Sequence, residues 1–214
     1  MKRKSGSDSS LWEGGRPERR KEIMTKAIQL IQEKGFREMT LDQLAEELDF
    51  TKAAFYYYLS SKKDLLYLIH DNSMTTLMST MVEIVQQNID PREKLAQCIR
   101  AYVVMIAENL AGFQIYFMEK RELRPSDQET LTAREREFVD ALENVYREGV
   151  DHGLFANHNP SVVVHSILGM CAWMTRWYHD AGTCTPTEVA DILIRIIFDG
   201  LIPRDVSGTN NSVT

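Results

Sequence analysis

An all-α fold of about nine helices is predicted by three observations. Apolar residues recur at 3.6-residue spacing along most of the chain, while the alternation expected of strands is nearly absent. Residues that cap helices stand at the head of one periodic segment after another. At 214 residues, 43% of them apolar and 26% charged, the chain is long enough to bury a core and ordinary for a soluble globular protein.

The elements follow in order. Residues 1–15, rich in Ser, Gly and Lys, read as a flexible basic arm. A first helix starts near Pro17, carries Ile23, Ala27, Leu30 and Ile31 on one stripe, and ends at Gly35 in a left-handed cap. Thr40 and Gln43 have the spacing of a capping box and open a second helix, with Leu41, Leu44, Ala45 and Leu48 on its inner face. Thr51 heads a third, short helix. Ser61 with Asp64 begins a long helix through about Gln87, and Asp90, Pro91 and Glu93 begin another. Ser126 heads a charged helix to about Gly149. Asn159-Pro160 opens a helix through "VVVHSILGMCAWMTRWY", and Thr185-Pro186-Thr187-Glu188 caps the last, which stops at Gly200. Residues 204–214 read as a disordered tail. No internal repeat is present.

Several function classes are excluded. The cysteines Cys98, Cys171 and Cys184 lie far apart without C-x-x-C spacing, so neither a disulfide framework nor a zinc site is expected, and a reducing cytosol suits them. The start has no signal-peptide apolar stretch, and no run approaches the length of a membrane span, so a cytoplasmic protein with no membrane partner is expected. His70, His152, His158, His165 and His179 are scattered, and no H-E-x-x-H, G-x-S-x-G or Gly-rich phosphate loop occurs. No acid, base and nucleophile are nominated together, so no enzyme, metal or cofactor is expected. Net charge is −6, but it divides unevenly: residues 1–65 hold 13 Lys+Arg against 11 Asp+Glu, leaving 12 against 20 for the rest. Only the first segment suits a polyanion, and an architectural DNA binder, which needs basic surface throughout, does not fit.

The stretch "DFTKAAFYYYLSSKKDL" carries the most specific signal. Two short helices with so tight a junction form a helix-turn-helix candidate. Stepping 100° per residue from Thr51 puts Phe55 and Leu59 on one face, towards Leu44 and Leu48. Ala53 and Tyr57 then point away, Ala54 and Tyr56 flank them, and Tyr58 lies at the edge of the inner face. Phenols beside small residues suit a major groove, where hydroxyls meet phosphates or base edges and the backbone docks closely. Lys52 and Lys62 would address phosphates. The competing reading, an aromatic cluster holding three helices together, is accepted for Phe55 and Leu59; Tyr56 and Tyr57 are assigned to DNA.

From about Arg20 to Leu65 the chain resembles the DNA-binding region of the TetR family of transcription regulators. The resemblance rests on "GFREMTLDQLAEEL" followed by "FTKAAFYYYLSSKKDL", in the order and spacing of that family's three-helix head. It implies DNA contacts at Thr40, Lys52, Ala54, Tyr56, Tyr57, Tyr58 and Lys62; Thr51 and Ala53, at the cap and on the outward side, complete the expected set. Asp49 stands where the family usually has a turn glycine, and Ala54 where a hydroxyl residue is common. Aspartate tolerates left-handed dihedrals better than most residues. Losing a hydroxyl at 54 shifts the contact towards the tyrosines.

The expected organisation is a DNA-binding domain over 16–65 and a helical effector-binding and dimerisation domain over 66–203. Met170, Trp173 and Trp177 form one C-terminal stripe and Val189, Ile192, Leu193, Ile196 and Ile197 another, which would close a four-helix bundle between two copies. His165 and Met174 join this expected homodimer interface. Burial within one subunit is the alternative. The segment "LGMCAWMTRWYHDAGTCTPTEVADILIRIIFDGL" is similar to the C-terminal part of TetR-type repressors of fatty-acid, aromatic-acid or steroid catabolism, which implies an acyl-coenzyme A effector. Met105, Phe113, Tyr116, Phe117, Arg121, Met170, Trp173, Arg176 and Trp177 are the expected effector-binding residues. For the apolar members a core and an adaptable cavity both fit; for Arg121, Arg124 and Arg176, phosphate binding and a solvated face both fit. A regulator of efflux or stress genes answering hydrophobic drugs, and a helical interaction module without specific DNA binding, remain as alternatives.

Overall fold

The computed structural model describes residues 17–199, with side chains from Arg19 onward except those of Tyr57 and Tyr58. The expected arm 1–15, the tail 204–214, the stop at Gly200 and the contacts expected of the Tyr57 and Tyr58 side chains lie outside the described residues. Those residues are all helix and loop, with no strand: α1 (Pro17–Lys34), α2 (Leu41–Glu47), α3 (Lys52–Tyr58), α4 (Lys62–Val85), α5 (Pro91–Glu108), α6 (Leu110–Glu119), α7 (Pro125–Asp151), α8 (Pro160–Ala172) and α9 (Pro186–Asp199). Short 3-10 turns follow α6 (Lys120–Glu122) and α8 (Trp173–Arg176). The contacts divide the chain into two compact units that do not follow chain order: residues to Ser79 with Asn109–Phe138, and Thr80–Glu108 with Val139 onward.

In the first unit, local chemistry places each helix of the head. α1 buries Ile23, Ala27, Leu30 and Ile31, and Gly35, at φ 83°, ends it with its N–H donating to Ile31 O at 2.8 Å. The α2 capping box forms in full: Gln43 N–H donates to Thr40 Oγ1, and Thr40 N–H donates to Gln43 Oε1, both at 3.1 Å. After α2, Asp49 takes the left-handed turn at φ 55° and Phe50 N–H donates back to Ala45 O at 2.9 Å. Thr51 caps α3, accepting from Ala54 N–H at 3.3 Å. Phe55 and Leu59 are fully enclosed in the cluster that holds Leu44, Leu48 and Leu65. A buried phenylalanine of this kind contributes about 3–5 kcal/mol, so Phe55 decides which side of α3 faces inward. Ile115, Tyr116, Leu123 and Leu131 extend the same core. Gly112 lets α6 lie close: a Cβ there would stand 3.3 Å from Ile69 Cγ2 and 3.7 Å from Ile28 Cδ1.

The start of α4 is tied down by charge. Ser60 and Ser61 hydroxyls donate to Asp64 Oδ2 at 2.6 and 2.9 Å. Arg124, ahead of α7, pairs with Asp64 Oδ1 and donates to Ser61 Oγ at 2.9 Å. Burial raises the Asp64 carboxyl, but the hydrogen bonds from Ser60, Arg124 and Ser61 outweigh it and hold the group below its usual range.

In the second unit, α5 packs on α9 and α8. Lys94 is buried and reaches Glu148 at 3.3 Å, and Arg100 pairs with Asp191 at 2.7 Å. The Asn159 side chain accepts from Ser161 N–H at 3.0 Å, and Thr185 N–H donates to Glu188 Oε2 at 2.7 Å, so both expected helix starts form as read. At the end of α7 a Cβ on Gly149 would stand 2.2 Å from the Phe155 ring, which stacks on Tyr146 with centroids 5.6 Å apart. Two features differ from expectation. α5 and α6 part at Asn109, with no proline or glycine ahead of it to mark the break. The helix expected through Tyr178 stops at Ala172 and tightens into the 3-10 turn, with Trp177 N–H and Tyr178 N–H both donating to Met174 O.

Candidate nucleic-acid interface

α3 and the cap of α2 carry the exposed residues of the helix-turn-helix. Thr40, Thr51, Lys52, Ala53 and Ala54 are exposed, and Tyr56 is 45% exposed although Phe55 beside it is sealed. The small side chains of Ala53 and Ala54 beside the Tyr56 phenol leave this side of α3 open to close approach by a partner. Lys52 Nζ donates to Asp42 Oδ2 at 2.6 Å, and the Tyr56 hydroxyl donates to Asp42 Oδ1 at 3.1 Å. These bonds hold the Asp42 carboxyl below its usual range, Lys52 before Tyr56 in weight, and raise both the ammonium and the phenol. Lys62 behaves differently. Its ammonium donates to Phe36 O at 2.9 Å and Arg37 O at 2.8 Å and lies 5.2 Å from the Phe36 ring centre, so it pins the loop after α1 to α4.

The expected effector residues fall in two groups. In the first unit, Phe113 and Tyr116 are buried while Phe117 and Arg121 are exposed. His70, also buried, stacks on Tyr116 with ring centres 3.5 Å apart and meets Phe113 edge-on at 6.0 Å. Tyr116 donates to Glu135 Oε1 at 3.0 Å, and His70 Nε2 lies 3.5 Å from the same oxygen, too long for a good hydrogen bond. Burial raises the Glu135 carboxyl, but His70 and Tyr116 outweigh it and hold the group below its usual range. Arg124 is committed to the α4 start and Arg121 is a solvated side chain. In the second unit, Met105 is core, Met170 is half-buried, and Trp173 (66%), Arg176 and Trp177 (50%) are exposed.

The expected dimer residues also divide. His165 and Ile192 (40%) are exposed, and Leu193, Ile196 and Ile197 are half-buried. Met174 and Val189 are corrections: Met174 is 0% exposed and Val189 nearly so, both sealed inside their own unit, so neither can meet a partner. Met174 lies in the 3-10 turn after Ala172, where it and Thr175 are buried while Trp173, Arg176 and Trp177 are exposed. Along α8, Val162, His165, Ser166 and Gly169, with Trp173 beyond, form an open row, and a Cβ on Gly169 would meet nothing within 4 Å. Among the described residues no group of His, Cys, Asp and Glu is gathered to hold a metal, and no single helix is long and apolar enough to cross a membrane. Burial pushes the Cys98 and Cys171 thiols up to about 12, which leaves them unreactive.

Two family patterns match the chain. The pattern described as "Bacterial regulatory proteins, tetR family" covers residues 23–67, and "Tetracyclin repressor-like, C-terminal domain" covers 88–201, more than half the chain. The chain belongs to the tetR family of bacterial regulatory proteins. It is thus a DNA-binding regulator of transcription and not an enzyme. The HTH-type transcriptional repressor KstR2 of Rhodococcus jostii (strain RHA1) is 26% identical over 189 residues, 87% of this chain and 93% of that protein. The tetR-family regulator PfmR from Thermus thermophilus superimposes with a TM-score of 0.79 at 27% identity, over 85% of this chain and 99% of its own. AibR, solved in complex with isovaleryl coenzyme A and operator DNA, gives 0.73 at 26% identity, over 84% and 98%.

Within this tetR-family head, sequence reasoning missed Asp42. The signal that could have found it is an acidic residue in the first turn of α2 facing an opposite charge ten positions on, across the turn. It also passed over His70 with Glu135, residues sixty-five positions apart that no spacing rule links.

Proposed function

We propose that this tetR-family chain is a homodimeric repressor that binds a near-palindromic operator and is released by a small apolar effector, an acyl-coenzyme A thioester of a catabolic pathway. The observation that carries the reading is the outward row Lys52, Ala53, Ala54 and Tyr56 on a helix anchored from behind by Phe55. In this reading Thr40, Thr51, Tyr57, Tyr58 and the region of Lys62 complete the contact, within a head spanning 16–65. Two copies would join through the α8 and α9 rows that include His165, Gly169, Trp173 and Ile192, setting the reading helices one DNA turn or a multiple apart. KstR2 is a transcriptional repressor by name and AibR takes isovaleryl coenzyme A with its operator, which supports both the repression and the effector class. Effector binding would shift α4, whose start Arg124 holds through Ser61 and Asp64, and so change the spacing of the two heads.

A gel shift of the full chain on DNA upstream of its own gene tests this. A discrete complex that dissolves on adding acyl-coenzyme A thioesters, and not free coenzyme A, is expected. Release by hydrophobic drugs instead redirects the effector assignment, and no complex at any salt concentration overturns the reading.

A further inference from the structure

Asp42 stands two residues past the Thr40 cap, in the first turn of α2, and its two oxygens serve different donors on α3. Oδ2 accepts from Lys52 Nζ at 2.6 Å and Oδ1 accepts from the Tyr56 hydroxyl at 3.1 Å. Lys52 and Tyr56 are four residues apart, so they share one side of α3, and that side is open to solvent. We propose that Asp42 is a positioning residue that fixes the hydrogen-bond polarity of Tyr56, making its phenol an acceptor for the exocyclic amino group of an operator adenine or cytosine. The inference rests on the reading of α2 and α3 as the DNA-contacting helices.

The chemistry is a matter of counting. A phenol carries one hydrogen and its oxygen's lone pairs. Once the hydrogen is given to Asp42, the oxygen can only accept. Phosphate oxygens, guanine N7 and O6 and thymine O4 are themselves acceptors, so they offer this phenol nothing. Adenine N6 and cytosine N4 are the donors on the major-groove edge. A hydroxyl that donates to a carboxylate is also a better acceptor, because the bonds polarise one another. Lys52 makes the arrangement tolerable beside DNA by cancelling the Asp42 charge that would otherwise meet the phosphates. Tyr56 is thereby assigned to sequence reading and removed from backbone anchoring, which a free tyrosine hydroxyl would serve equally well.

Selection from a randomised duplex pool, using the full chain and the variants Tyr56→Phe, Asp42→Ala and Asp42→Asn, tests the assignment. The unaltered chain is expected to select adenine or cytosine at one position of each half-site. Tyr56→Phe and Asp42→Ala each lose that preference by roughly tenfold, the size of one mismatched contact, and the double variant loses no more than either. Asp42→Asn keeps it, because its carbonyl still takes the phenol hydrogen. Replacing the chosen base by an analogue without the amino group weakens the unaltered chain and leaves the two losing variants unmoved. A merely structural Asp42 would shift the thermal midpoint or the affinity for every sequence together, not the choice at one position, and that outcome overturns the inference. So does a preference that survives Tyr56→Phe, which would make Asp42 itself the reader. A chain that selects no sequence at all overturns the DNA-reading assignment along with this one, which separates the two failures.

Discussion

Asp49 occupies the turn between α2 and α3 with φ at 55°, where a side chain crowds its own backbone. Left-handed backbone costs an L-residue about 1–2 kcal/mol, and glycine gives back about 0.4–1 kcal/mol through the freedom of its unfolded chain. Asp49→Gly should therefore stabilise the first unit by about 0.5–1 kcal/mol, read as a higher urea midpoint; a lower midpoint would show that the Asp49 carboxylate has a role of its own. The departure from a turn glycine was legible in the sequence and so was its consequence, because a turn conformation depends on one residue and its neighbours. Lys62 shows the opposite. Its place in the motif suggested a phosphate, yet its ammonium is spent on the Phe36 and Arg37 carbonyls, twenty-five residues and more away. A lysine's partner is set by what folds next to it.

Helix starts were readable because caps are local. Thr40 with Gln43, Thr51, Asn159 and Thr185 with Glu188 all form the bonds their spacing promised. The break at Asn109 and the tightening after Ala172 were not, since no proline or glycine stands at either point. Where helices meet, buried polar chemistry appears that no single helix encodes. α4 supplies His70, α6 supplies Tyr116 and α7 supplies Glu135, and the last is held as an anion by the other two. A carboxyl whose folded affinity for protons is depressed adds stability above its ordinary value of 4.5 and loses it as the pH falls through the lower folded value. Urea unfolding followed from pH 7 down to about 3 should then show a shallower acid decline for Glu135→Gln than for the unaltered chain. Parallel declines would mean that other depressed carboxyls, Asp64 among them, carry the acid limb alone.

At the scale of the whole molecule the uneven charge, +2 over residues 1–65 against −8 beyond, matches one part made for a polyanion and one that is not. Assembly is tested through Gly169. A side chain there meets nothing within its own subunit, so Gly169→Arg should leave the circular dichroism and melting of the protomer intact. It should yet turn the proposed dimer into a monomer in sedimentation velocity and abolish the proposed operator complex. A dimer that survives the arginine would move the interface away from α8. Periodicity, caps and the "DFTKAAFYYYLSSKKDL" stretch by themselves determined an all-α fold over the described residues and a short helix bearing Tyr56–Tyr58 after a tight turn, because each depends on neighbours within a turn or two. Only the tertiary structure decided that Met174 and Val189 are sealed while Trp173 is bare, that Lys62 is engaged, and that Asp42 holds both Lys52 and Tyr56. Those outcomes depend on which surfaces meet across distant parts of the chain, and burial and hydrogen bonding are properties of that meeting rather than of any residue's place in a line.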